Sequence, residues 1–287
     1  MALYKTYDPE TLDKLQKAEL IMLQDFVDLC EANQIDYFLI GGSAIGAVRH
    51  GGFIPWDDDI DIAFDRPNFE KFVKVASNLE NYYLLNTRTD KNYPLMTTRM
   101  CRKGTIFREE TFKDLPCDLG IFLDLFCFDA VPDDDTKMKI QGWKAWFWNK
   151  LQILYCTGHP TLYFGGWKAK LTYFICGIAH FGLRLLHFSP RWLYEMGQKA
   201  ARKYEGQKTK RIAHFFEPTP FCSIVEVDDI FPVKKMSYNG VMVDVPGNID
   251  RYLTIRYGDY MKLPPEDKRH NHPPYQLDFG DLFDDAK

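Results

Sequence analysis

The chain has 287 residues and a mass of 33.6 kDa, enough for one large domain or two modest ones with a full core. Apolar residues make up 46% and charged residues 26%, the balance of a globular chain rather than a disordered or fibrous one. With 36 Lys and Arg against 40 Asp and Glu the net charge is −4, which excludes a bulk polycation built to grip nucleic acid. Residues 1–7 lack the charged start and apolar run of a secretory leader. The seven Cys form no CxxC pair, which argues against a disulfide framework or a four-Cys zinc site. Both features predict a cytoplasmic protein.

In chain order, Asp8-Pro9-Glu10 supplies an N-cap, a Pro at the first helical position and an acid in the first turn. Leu12, Leu15, Met22, Phe26 and Leu29 then recur at helical spacing to about Asn33. Tyr37-Phe38-Leu39-Ile40 followed by Gly41-Gly42 reads as a buried strand and a turn, with Ser43 capping a short helix over 44–49. Residues 50–56 form a loop, and 59–64 alternate polar and apolar, the mark of a strand with one dry face. Asp65-Arg66-Pro67 restarts a helix to about Leu79. Strands are predicted near 82–86, 96–102, 105–109 and 121–126. A helical, aromatic-rich stretch follows from 133 to about 206, then short β pieces at 212–216 and 233–245. A helix over 248–257 stops at Gly258, and an extended tail begins at Leu263.

The densest chemistry is Trp56-Asp57-Asp58-Asp59-Ile60-Asp61-Ile62. On a strand Asp59 and Asp61 share a face. Two carboxylates so close repel unless a hard divalent cation such as Mg²⁺ lies between them. The alternative, a solvated acidic loop, fits poorly beside Phe53, Ile54, Trp56, Ile60 and Ile62. Gly42-Ser43 opens a helix, where backbone N–H groups and a hydroxyl offer donors to an anion. Asp124, inside Ile121-Phe122-Leu123-Asp124-Leu125-Phe126, is a third acid on an apolar strand, either paired with an Arg or a metal ligand. Three such carboxylates can bind two ions that clamp a phosphoryl group, and Asp124 can accept a proton from an attacking hydroxyl.

A Gly-Ser turn, an apolar-flanked Asp-x-Asp and a lone Asp on a later strand resemble the nucleotidyltransferase fold of DNA polymerase beta. More narrowly, YFLIGGSAIGAVRHGGFIPWDDDIDIAF at 37–64 resembles the LicD family, which includes bacterial phosphocholine transferases and, more remotely, fukutin and fukutin-related protein. The likeness continues at Leu123-Asp124-Leu125-Phe126, Tyr238-Asn239-Gly240, Val245-Pro246, Tyr252-Leu253 and Tyr257 to Pro265. The resemblance implies an α+β fold: a mixed sheet with flanking helices and a helical, basic insertion. It implies a core at 1–132, an insertion at 133–211, and a C-terminal part at 212–287 that completes the core and ends in an acidic tail. It further implies transfer of a phosphorylated alcohol from a CDP-alcohol donor to a hydroxyl of a glycan or its lipid-linked precursor, releasing CMP. Asp59, Asp61 and Asp124 would hold Mg²⁺ or Mn²⁺, two ions in all. Gly41, Gly42 and Ser43 would contact the donor phosphates, with Arg49 and His50 as cations beside them. For Arg49 a salt bridge to Asp57 or Asp58 is an equal reading. The 257–259 stretch reads as packing, and Lys268, Arg269, His270 and His272 as a mobile tail that reaches donor phosphate only as the second choice. Cys156-x-x-His159 is too little for zinc.

Residues 136–211 stand apart, with 14 Lys and Arg against two acids, a local charge of +12, and five of the six Trp; the remainder carries −16. One reading is a helical subdomain with a solvated basic face. The other is peripheral contact with an anionic membrane or glycan. The uncharged run 171–183 is too short to span a bilayer but suits a helix lying in its surface. The competing functions are transfer of the nucleotide itself by the same fold, a metal-dependent glycosyltransferase, and a silent glycan- or membrane-binding module. Composition and motifs point to no nucleic acid partner.

Overall fold

The computed structural model describes residues 7–160, 162, 165–269, 271 and 273–283. Helix α1 (Pro9–Ala32) begins as its cap predicts, the Asp8 carboxylate accepting the Thr11 N–H at 3.0 Å. One face of it, Leu15, Ala18, Met22, Leu23 and Phe26, is wholly buried. Strand β1 (Phe38–Leu39) leads into α2 (Gly41–His50). This helix starts earlier than the sequence suggests. Ile40 is its N-cap, and Ser43 is turned inward, its Oγ accepting the Asp61 N–H at 2.8 Å. Strand β2 (Asp61–Asp65) follows, so Asp59 precedes the strand instead of opening it. Asp65 caps α3 (Arg66–Ala76), and then come β3 (Tyr82–Leu85), β4 (Thr98–Arg102), β5 (Ile106–Arg108) and β6 (Phe122–Val131).

Three helices follow, α4 (Asp135–Cys156), α5 (Gly166–Leu185) and α6 (Pro190–Ala201). The chain then returns through β7 (Arg211–Ala213), β8 (Ile224–Glu226), the single turn α7 (Val227–Ile230), the hairpin β9 (Lys234–Tyr238) and β10 (Val241–Val245), and α8 (Ile249–Tyr257). The tail is not merely extended. It adds β11 (Gln276–Asp278), antiparallel to β5 with Leu277 opposite Phe107, and the Lys14 ammonium lies 4.4 Å over the Phe279 ring. His270, His272 and residues 284–287 lie outside the described residues.

The main sheet runs β1-β2-β6-β4-β3, with β7 and β8 continuing from the second half of β6. That extra pairing explains why β6 reaches Val131 and not about 126: its last residues gain β7 as a partner, with Val131 opposite Arg211 and Asp129 opposite Ala213. β2 and β6 are parallel and every other pair is antiparallel, so the fold is a mixed α+β arrangement with flanking helices. Phe26, Tyr37, Phe64 and Phe72 pack edge-on and tilted under the sheet, at centroid distances of 4.9 Å for Phe26–Tyr37 and 5.2 Å for Phe64–Phe72. The helical segment is tied down by a buried fork. Arg66 donates to both carboxylate oxygens of Asp129 at 2.8 and 2.7 Å and to Gln198 Oε1 at 3.2 Å, joining α3, β6 and α6.

The C-terminal hairpin holds the loop that feeds the acids. Asn239 and Gly240, at φ 49° and 90°, make its tight turn. The Asn239 side-chain oxygen accepts the Phe53 N–H at 2.8 Å, and the Asn239 N–H donates to Gly51 O at 2.7 Å. A Cβ on Gly52 would lie 1.8 Å from that oxygen, so only glycine fits there. An Asn239→Ala protein loses the acceptor of a part-buried N–H. It is expected to be less stable by about 1–2 kcal/mol in urea unfolding; an unchanged midpoint would contradict this account.

Candidate active site

Strand register builds the site. In the parallel pair β2–β6, Asp61 lies opposite Asp124, and in the antiparallel pair β4–β6, Arg99 lies opposite Asp124. Directly opposed residues face the same side of a sheet, so Asp61, Asp124 and Arg99 stand in a row across three strands. Two backbone bonds hold the row: Asp124 N–H to Ile60 O at 3.0 Å and Ile40 N–H to Asp61 O at 3.1 Å. Asp59, two residues before the first residue of β2, turns to the same place. Carboxylate oxygens of Asp59, Asp61 and Asp124 lie within 4.8 Å of one another. Asp57, Asp58 and Asp59 form a second such group, which shares Asp59 with the first.

Both readings of Asp124 hold at once. Arg99, itself 5% exposed, donates from Nε to Asp124 at 3.0 Å and from Nη2 to Glu109 at 2.7 Å, and its guanidinium carbon lies 3.6 Å from the Phe122 ring centre. That one cation does not balance the set. Burial, and then the neighbouring carboxylates, push Asp59 and Asp61 well above the ordinary carboxylate range. Asp124 is raised by burial against the opposing pull of Arg99, and Asp57 is pushed up to about 7 by burial and Asp58. Carboxylate oxygens that converge without enough positive charge, on side chains still partly exposed, suit a hard divalent cation.

The glycine turn lies directly against the acids. A Cβ on Gly41 would sit 2.4 Å from Asp61 Oδ2 and one on Gly42 2.5 Å from Asp57 Oδ2; Gly41 also has φ +59°. Ser43 is buried and orients Asp61 through its backbone bond. Arg49 donates to Tyr260 O at 2.7 Å and to His50 Nε2 at 2.9 Å, and it feels the charge of Asp57. The 257–260 stretch therefore packs on the cation that follows the glycine turn. The Arg269 guanidinium rests over Trp56 at 4.7 Å, next to the acidic run; this is a fixed contact where the sequence suggested a mobile tail.

Three further groups belong to the site and were not read from the sequence. Glu19 of α1 is 1% exposed, its Oε2 has no hydrogen-bond partner, and burial and then Asp59 raise its pKa well above the ordinary value. It occupies a core position of α1, four residues after Leu15 and four before Leu23, and an acid at such a position is the signal that identifies it. Tyr238 of β9 has a buried hydroxyl without a partner, raised by burial and then by Asp57 and Glu19. Arg256 of α8 bonds to Ser223 Oγ at 3.0 Å, and its charge opposes the upward shift of Asp61.

Residues 34–164 match the family model described as LicD/FKTN/FKRP, nucleotidyltransferase domain. Lipopolysaccharide cholinephosphotransferase LicD of Haemophilus influenzae is 26% identical over 296 aligned positions, which cover 91% of this chain and 96% of that protein. Ribitol 5-phosphate transferase FKRP of Homo sapiens is 53% identical over 36 residues, 12% of this chain and 7% of that one. Taken with the acids set in register on β2 and β6, these matches show that the chain carries a LicD-family domain.

Proposed function

We propose that the protein transfers a phosphorylated alcohol from a CDP-activated donor to a hydroxyl of a cell-surface glycan or its lipid-linked precursor, on a polymerase-beta-type nucleotidyltransferase core. The names of the two relatives describe transfer of cholinephosphate and of ribitol 5-phosphate. What carries the reading is the row formed by Asp61 and Asp124 with Asp59 beside it, facing a glycine turn too tight for a side chain.

Asp59, Asp61 and Asp124 would hold Mg²⁺ or Mn²⁺, and the adjoining group that shares Asp59 leaves room for two ions. When bound, the ions offset the charge of the donor's pyrophosphate. Gly41, Gly42 and Ser43 at the start of α2 present backbone N–H groups to that pyrophosphate, and Arg49, Arg256 and Arg269 supply cations around it. The acceptor oxygen forms a bond to the phosphorus that bears the alcohol. The bond from that phosphorus to the bridging oxygen breaks, and CMP leaves with the electron pair. Asp124, held in place by Arg99, takes the hydroxyl proton.

The test is a CMP-release assay with Mg²⁺ over CDP-choline, CDP-ribitol and CDP-glycerol, with an acceptor glycan present. Acceptor-dependent CMP from one donor, absent in Asp61→Ala, is expected. A nucleotide left attached to the acceptor, with no free CMP, would replace this reading by nucleotide transfer.

A further inference from the structure

Helix α5 faces the wrong way for a surface helix. Ala169 and Leu183 are its buried residues, and it is fastened to α4 by His180 Nδ1 against Leu154 O at 2.8 Å and by the Arg184 guanidinium over the Tyr155 ring at 5.3 Å. The opposite side carries Trp167, Leu171, Phe174, Ile178, Phe181 and Leu185, all at least half exposed, with Trp167 at 71% and Phe174 and Phe181 at 66%. Their alternating spacing of four and three draws one stripe along the helix, about 30 Å long at 1.5 Å per residue. Such a stripe normally packs on a core. Here it faces away from the protein, and an exposed apolar band of this size marks an interaction surface.

Charge identifies the occupant. Lys168 and Lys170 flank the stripe on its two sides at the start of α5, Arg184 stands near its end, and the helix contains no acid. Lys168 in the first turn and Lys170 just beyond it oppose the helix dipole, so helix stability does not explain them. A second copy of the chain would bring two segments of +12 together. Among the described residues no single helix is long and apolar enough to cross a membrane, and the α5–α6 pair that passes jointly is bent by 110°. An apolar stripe bordered by cations and crowned by a Trp is the pattern of a helix lying in a lipid–water interface.

We propose that α5 seats in the headgroup layer of an anionic bilayer, with Trp167, Leu171, Phe174, Ile178, Phe181 and Leu185 toward the acyl chains and Lys168 and Lys170 on lipid phosphates. This does not depend on the transfer reaction, and its test uses no activity. The full chain is floated with phosphatidylcholine vesicles, with and without phosphatidylglycerol, at low and high salt. Binding is expected only to the anionic vesicles, and to weaken with salt. The double variants Phe174→Ser/Ile178→Ser and Lys168→Gln/Lys170→Gln, each with unchanged circular dichroism, are expected to bind about tenfold more weakly. Failure to float, or flotation undiminished in the Phe174→Ser/Ile178→Ser protein, would overturn the proposal. So would a lipid-free dimer that the same variant dissolves, since the stripe would then belong to a second copy.

Discussion

An Asp61→Asn enzyme is expected to turn over at least about a thousandfold more slowly than the wild type, yet to melt at a higher temperature when both are free of divalent ions. The two effects have one cause. Asp61 opens β2 opposite Asp124, beside Asp59, and among the described residues Arg99 is the one cation hydrogen-bonded to the row. Its folded pKa lies well above the usual carboxylate value, through burial and then the charge of Asp124. A carboxyl raised in this way binds more protons folded than unfolded, so its linkage runs against the common case. The contribution of this carboxyl to metal-free stability is greatest below about pH 4 and is lost as pH rises through its raised value. Removing one charge relieves the repulsion, worth about 1 kcal/mol or more, or ~2–4 °C in melting temperature. Added Mg²⁺ should stabilise the wild type more at about pH 8 than at about pH 5 and the variant little at either, since the site it fits is then incomplete. Differential scanning fluorimetry over pH, with and without Mg²⁺, reads all of this. A variant that melts no higher than the wild type without metal would contradict the electrostatic account.

Arg99→Ala is the substitution with the largest expected cost to stability. The guanidinium is buried and divides its donors between Asp124 and Glu109, over the Phe122 ring. Without it two poorly solvated carboxylates lose their partner, a loss of about 3–5 kcal/mol. Asp124, freed from the opposing pull of Arg99, must then charge at a higher pH than before, so the destabilisation is largest in alkaline solution and shrinks toward about pH 4, where protonation removes its charge. Arg99→Lys keeps the charge but not the two-pronged geometry and should fall between. Urea unfolding at acid and alkaline pH measures the difference; an equal loss at both would show that Arg99 acts through packing alone.

Much of the site was legible because charge in an apolar, alternating segment is costly and therefore conspicuous. Asp59, Asp61 and Asp124 stand out for that reason, as does the Gly41-Gly42 turn before a helix. What escaped depends on register and packing. Arg99 sits in a strand with no clear alternation, and its place opposite Asp124 follows from a pairing that only the folded sheet fixes. Glu19 does not stand out in the sequence because the helical periodicity of α1 is carried by its apolar residues. Arg256 and the β11 pairing depend on where the chain's last part returns. In α5 the amphipathic pattern is plain, but periodicity alone turns the stripe inward; the packing of Ala169 and Leu183 turns it outward.

The order of these pieces along the chain has a consequence for biosynthesis. The centre draws on α1, β2 and β6, while the loop leading to its acids is pinned by Asn239 and its flanking arginine by Tyr260. A nascent chain therefore emerges from the ribosome with its acids made early and their enclosure made last. Fragments that stop before the β9–β10 turn carry the full acidic set without its lock, and synthesis must pass residue 260 before a working centre exists.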